Sequence, residues 1–206
     1  MRTDASHIIG AGGHGRVVAD ALVVGGVSLA RLVPRDGRVN LAIQGVTVTT
    51  PEIDSDMAGA AFHVAVGSAA VRSRLYAAGI AVDASPMTVV HPAAIIASDA
   101  TLGDGSFVAA GAIVAPLART GIAAIINHGA VVDHDVVIGD FCHIAPHATL
   151  GGEVRVGDRV LIGSGAVVLP GVQIASDVTV GAGAVVIADI GEAGTWVGNP
   201  ARRLDE

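Results

Sequence analysis

Residues 126–162 read INHGAVVDHDVVIGDFCHIAPHATLGGEVRVGDRVLI. Every sixth residue of this stretch is a large aliphatic: Ile126, Val132, Ile138, Ile144, Leu150, Val156 and Ile162. The series extends without a slip back through Thr120, Val114, Val108 and Leu102 to Ile96, and forward through Val168, Ile174 and Val180 to Val186. Of these 16 positions 15 are Ile, Leu or Val, and the other, Thr120, is β-branched. Four residues after each stands a small or aliphatic side chain, such as Ala112, Ala130, Cys142, Ala148, Ala166 or Ile190. Gly often follows the aliphatic directly, at Gly139, Gly151, Gly157, Gly163 and Gly181.

A period of six fits neither a helix, with 3.6 residues per turn, nor an alternating strand. It fits a chain that makes one short strand and one turn every six residues. Three such units close a triangular coil of about 18 residues, and coils stack at the strand spacing of about 4.8 Å. The aliphatic fills the prism, the small residue fits near the corner, and Gly is expected to serve the turn geometry. The 16 hexads amount to roughly five coils of a hexapeptide parallel β-helix. Within Ala115–Gly121, Pro116 interrupts the pattern, and a bulged corner is expected there.

The first half has a different pattern. His7–Gly10 is an expected strand, followed by Gly10-Ala11-Gly12-Gly13-His14-Gly15. A helix is expected over about 16–24, stopped by Gly25-Gly26, then strands over 30–33, 46–49 and 62–66. A second helix over about 69–78 ends at Gly79. Alternating strands and helices imply a small parallel, Rossmann-like α/β domain over 1–88, with the β-helix and a C-terminal tail over 89–206. Gly10, Gly12 and Gly15 match the G-x-G-x-x-G spacing. A lone match is weak, and about 85 residues are too few for a complete dinucleotide fold.

Composition narrows the class. Hydrophobic residues make up 51% of the 206, yet aromatics only 2%, so the core is built from Val, Ile, Leu and Ala. No apolar run reaches the roughly 18–20 residues that span a bilayer. The single Cys142 excludes an internal disulfide framework. The chain reads as cytoplasmic and soluble. Its formal net charge of −7 argues against general affinity for nucleic acid or anionic membrane. A small anionic ligand needs only a local nest of donors and stays open.

Among the polar residues, His134-Asp135 has the chemistry of a general base. A neutral imidazole can take a proton near pH 7, and an adjacent carboxylate can orient the ring and stabilise its charged form. Lying two residues after the core residue Val132, His134 faces the surface or a subunit interface. By spacing alone a solvated surface histidine is the alternative. Asp133, His134, Asp135, His143 and His147 are spread over different faces by the repeat, so no metal is expected.

The glycine-histidine loop, Asn127 before Asp133-His134-Asp135, Gly139-Asp140-Phe141-Cys142-His143 and Gly198-Asn199-Pro200-Ala201-Arg202 together resemble one family. It is the bacterial left-handed β-helix nucleotide-sugar acetyltransferases of the bacillosamine and perosamine type, which includes NeuD-like sialic acid O-acetyltransferases. The resemblance implies an acetyl-CoA-dependent N-acetyltransferase of a nucleotide-linked 4-amino-4,6-dideoxy sugar in glycan biosynthesis. His134 would be the base, Asp135 its support and Asn127 a polar neighbour of the reacting groups. His143 would contact the acetyl-CoA end, and the Gly152 N–H would bond the thioester carbonyl. Ser164, Gly181 and Ala182 would line the CoA groove between β-helices of a homotrimer, with Arg202 and Arg203 near the CoA phosphates. Gly12, Gly13 and His14 would bind the sugar nucleotide, with Gly67-Ser68 as the adjacent wall.

Bacillosamine-type members carry adjacent Asp residues at the second strand, where they bind uracil. This chain departs from them with Pro34-Arg35, followed by Asp36. The carboxylate of Asp36 can accept bonds from guanine N1–H and N2–H. It also carries His128 and His147 where small residues are usual. Two alternatives stay open at this level: transfer to a sugar hydroxyl, and a non-enzymatic β-helix serving as a binding or assembly module.

Overall fold

The computed structural model describes residues 6–26, 31–33 and 53–204. The chain divides into two compact units, Met1–Pro92 and Ala93–Glu206.

In the first unit, β1 (Ser6–Ile9), β2 (Arg31–Val33), β3 (Ala61–Val64) and β4 (Ser85–Pro86) form a parallel sheet in the order β2-β1-β3-β4. Helix α1 (Gly13–Val24) follows β1, and α2 (Ala69–Ala81) follows β3. Ile8, Ile9, Val18, Phe62 and Leu75 are buried in this unit. The expected strand over 46–49, like Pro34, Arg35 and Asp36, lies outside the described residues.

Two helix boundaries differ from expectation. Helix α1 begins at Gly13, three residues before the expected start. Helix α2 runs through Gly79 to Ala81. The ring of Phe62 lies where a Gly79 side chain would be, 2.5 Å from an ideal Cβ. Gly79 is therefore a packing notch inside the helix and not its stop.

The second unit is the left-handed parallel β-helix, with strands stacked at 18-residue intervals on three faces. The first face holds Ile95–Ile96, Ile113–Val114, Val131–Val132, Thr149–Leu150, Val167–Val168 and Val185–Val186. The second face includes Phe107–Val108, Ile125–Ile126, His143–Ile144, Leu161–Ile162, Val178–Val180 and Gly194–Val197. The third face holds Arg119–Thr120, Val137–Ile138, Arg155–Val156 and Gln173–Ile174. The aliphatic series from Val108 to Val186 points inward into one continuous core, together with Ala112, Ala130, Cys142 and Ala166.

Three details correct the sequence reading. The corner at Pro116 does not bulge: Arg119 and Thr120 pair with Val137 and Ile138 at the regular interval. The solenoid makes about six turns, because Gly194–Val197 completes a last coil after the hexads end. That coil is two residues shorter, so Ile190 bridges Ile174 and is buried in its place.

The glycines after the aliphatics do not serve turn geometry either. A Cβ on Gly139, Gly157 or Gly163 would meet the backbone of the next coil at 2.5–2.8 Å. Close approach of stacked corners requires them. Positive φ falls two residues later and is often carried by other residues, among them Ala123, Asp135, Phe141, His147 and Glu153.

Candidate active site

Each coil has three corners, and the polar residues of interest occupy two. His134 and Asp135 form the corner between the first and third faces. Asn127, His128 and Gly129 lie at the corner between the second and first faces, and His143 is on the next strand of the second face. The first face therefore separates the two groups within one chain.

At the first corner, the His134 Nδ1–H donates to Asp135 Oδ2 at 2.9 Å. This hydrogen bond leaves Nε2 with its lone pair free to accept a proton. The His134 backbone N–H donates to Asp133 Oδ1 at 2.7 Å, and its carbonyl accepts from Glu153 N–H at 2.9 Å, so the corner is tied down on both sides. The His134 and Asp135 side chains are 54% and 48% exposed, open to a ligand or a neighbouring chain. The hydrogen bond donated to Asp135, with the charges of Asp133, Asp135 and Glu153, raises the His134 pKa above its usual 6.5. Asp135 has φ +60°, in the left-handed region that Asp tolerates better than most residues.

Gly152 occupies the equivalent corner one coil on. An ideal Cβ there would lie 2.5 Å from His134 Nε2 and 2.6 Å from Cε1. Among the described residues the Gly152 N–H forms no intramolecular hydrogen bond. The same holds for the N–H groups of Ser164 and Ala182, both exposed corner residues. Gly165 and Gly183 beside them would meet nothing within 4 Å of an added Cβ. These four residues lie not at the Gly152 corner but at the one between the second and first faces, stacked in line with His128 and Gly129, and that corner is an open strip of backbone. Gly181 is different: an added Cβ would strike Val197 Cγ1 at 2.7 Å, so its glycine makes room for the terminal segment.

At the second corner, Asn127 Oδ1 accepts from His128 N–H at 2.9 Å, which orients the amide. Its Nδ2 then donates to His143 Nε2 at 3.1 Å. Since Nε2 must accept, the proton of the neutral His143 ring sits on Nδ1. His147, exposed, packs over Gly129, where a Cβ would meet Nδ1 at 2.5 Å.

In the tail, Arg203 Nη1 pairs with Glu192 Oε1 at 2.6 Å, while Arg202 Nη1 donates to the carbonyl of Ala201. Both arginines are exposed.

In the first unit, the loops after β1 and β3 lie side by side, with Ala65 N–H donating to Ile9 O at 2.8 Å. Chain reversal at the C-terminal ends of adjacent parallel strands creates a crevice suited to a ligand. The loop glycines divide by role. Gly10 has φ +118° and would strike Ala65 O, and a Gly15 side chain would strike the Gly10 carbonyl. Gly12 and Gly13 have open space around them and are exposed at the start of α1, which has no side-chain cap. Free N–H groups at a helix start suit a phosphate. His14 is half-buried beside them.

On the other wall, Gly67 is held by a residue that sequence reasoning missed. Arg72, only 1% exposed, donates from Nη1 to Val66 O at 2.9 Å and to Gly67 O at 2.8 Å. An arginine four residues after Ser68, on the first turn of α2, was the available signal.

Among the described residues no helix is long and apolar enough to cross a membrane. A left-handed hexapeptide β-helix that follows a small parallel α/β unit in the sequence, with a His–Asp pair on one corner, defines a hexapeptide-repeat acyltransferase. Comparison with known proteins agrees. Residues 7–78 match the PglD N-terminal domain, and residues 153–188 match the bacterial transferase hexapeptide (six repeats). PerB from Caulobacter crescentus, solved in complex with CoA and GDP-perosamine, is 36% identical with a TM-score of 0.92, over 98% of this chain and 97% of that one. The acetyltransferase domain of PglB from Neisseria gonorrhoeae FA1090, solved with acetyl coenzyme A, is 33% identical with a TM-score of 0.90, over 98% and 100%. WeeI from Acinetobacter baumannii AYE is 25% identical with a TM-score of 0.79, over 97% and 99%. No curated protein sequence matches. The chain belongs to the bacterial nucleotide-sugar acetyltransferases of the bacillosamine and perosamine type. It is an enzyme, an acyltransferase.

Proposed function

We propose that this enzyme N-acetylates the 4-amino group of a nucleotide-linked 4-amino-4,6-dideoxy sugar, with acetyl-CoA as donor and His134 as general base. The observation that carries the reading is the His134 ring, held through Nδ1 by Asp135 with Nε2 turned away from the carboxylate. The donor fits what the chain offers, an open strip of corner N–H groups at Ser164 and Ala182 and open space at Gly165 and Gly183. Acetyl-CoA supplies an activated thioester.

His134 Nε2 accepts the amine proton as the nitrogen bonds to the thioester carbon. Asp135 stabilises the imidazolium, the Gly152 N–H faces the carbonyl oxygen, and the C–S bond breaks to release CoA. Binding both substrates in register contributes much of the rate. Gly12, Gly13 and His14 hold the diphosphate, with the Gly67 wall held by Arg72. PerB, solved in complex with GDP-perosamine, and a carboxylate at Asp36 favour a guanine nucleotide.

The site is completed between chains of a homotrimer. The outer row of the first face, Ile113, Val131, Thr149, Val167 and Val185, is half-buried in a single chain and mostly β-branched aliphatic. Such a row is suited to packing against other copies around a threefold axis. The two corners that flank this face then meet opposite corners of neighbouring chains. His134 of one chain approaches Asn127 and His143 of the next.

The test is release of the CoA thiol with GDP-, UDP- and dTDP-linked 4-amino sugars, run beside His134→Ala. Loss of a general base should slow turnover by about 10²–10⁴-fold. No release with any amine acceptor, or a fully active variant, refutes the reading.

A further inference from the structure

The 18-residue coil places Gly152 directly against the ring of His134. Three ring atoms, Nε2, Cε1 and Cδ2, would lie 2.5, 2.6 and 3.2 Å from a Gly152 Cβ. The Nδ1 side of the same ring is held by Asp135 at 2.9 Å. The imidazole is thus fixed from two sides, by a carboxylate and by a floor made of bare backbone. Gly152 has no left-handed φ that would itself call for glycine. It is buried, while the ring resting on it is half exposed. Its backbone could carry a side chain, but the histidine ring occupies the space.

We propose that Gly152 is a positioning residue for His134, and that the absence of its side chain is the seat that aims Nε2 at the acceptor. This role is separate from its N–H and rests on the reading of His134 as base. A methyl group at 152 must push the ring from 2.5 Å to ordinary van der Waals separation, a shift of about 1 Å. Misplacement of a catalytic group by about 1 Å can cost on the order of 100-fold in rate.

The experiment compares Gly152→Ala with Gly191→Ala, whose added methyl meets nothing within 4 Å. Gly152→Ala should lower kcat about 100-fold with the KM for both substrates within about twofold, and Gly191→Ala should match the wild type. In the double variant His134→Ala/Gly152→Ala, the second change should add nothing, because the ring it displaces is gone. A full further loss there, or a single variant within about threefold of wild type, overturns the proposal. The ring itself is read by imidazole ¹⁵N NMR on the intact protein. In Gly152→Ala the His134 resonances should shift, and its pKa should move from the value set by Asp135, Asp133 and Glu153 toward 6.5. An unchanged His134 spectrum refutes the seat whatever the activity does. Full activity in His134→Ala refutes the base reading instead and leaves the spectrum to decide the seat.

Discussion

Mixing two inactive variants shows which chains build the site. His134→Ala removes the proposed base from one corner, and Asn127→Ala/His143→Ala removes the pair that bridges neighbouring coils on the other side of the first face. In a single chain these groups stand on opposite sides of the first face. If each site takes His134 from one chain and Asn127–His143 from the next, random assembly of equal amounts leaves each half intact with a chance of one in two. Both halves are intact in one site in four, so the mixture should reach roughly a quarter of wild-type activity. Each parent alone should stay near background. The variants are co-expressed or mixed under dissociating conditions and reassembled. Native mass spectrometry checks for the four trimer compositions near a 1:3:3:1 ratio, expected from random assembly, and CoA release reads the activity. Activity no greater than the mean of the parents, with mixed trimers present, would refute a site shared between chains.

Two further outcomes follow from ionisation. The hydrogen bond that His134 donates to Asp135 raises the histidine's pKa, and if His134 is the base it works only when neutral, so kcat/KM should rise with pH through a value above 6.5. Asp135→Asn should move that acidic limb to lower pH; a pH–rate profile that stays in place contradicts the pairing. His63 is buried, donates from Nδ1 to Met87 O at 3.0 Å, and is pushed down to about 4 by desolvation. The unfolded chain therefore binds an extra proton between pH 4 and 6.5, and stability is full above 6.5 and lost as pH falls toward 4. The difference corresponds to about 3 kcal/mol. Hydrogen exchange in β3 should show this loss in the wild type and not in His63→Asn; equal pH slopes would refute it.

The fold was legible because its repeat is local. Each hexad states its own inward residue, so Ile96 to Val186 could be read without knowing any long-range contact. The His134–Asp135 pair was legible for the same reason, since the partners are adjacent. Asn127 and His143 were singled out separately, but their hydrogen bond was not. It joins neighbouring coils on a diagonal, since in register Ile125, not Asn127, pairs with His143. Arg72 went unnoticed because an arginine on a helix is ordinarily solvated. Its burial depends on where the β3–α2 loop folds back.

Sequence alone determined the β-helix, its inward-facing series and the chemistry available at His134. Those depend on the order of residues within one coil. Only the tertiary structure decided what the glycines do: Gly79 admits Phe62, Gly181 admits Val197, and Gly152 admits the His134 ring. Gly12 and Gly13 alone in their loop are left open. A missing side chain has no identity in sequence beyond the letter G. Its purpose is set by the atom that fills the space, and in a solenoid that atom comes from another coil, about 18 residues away.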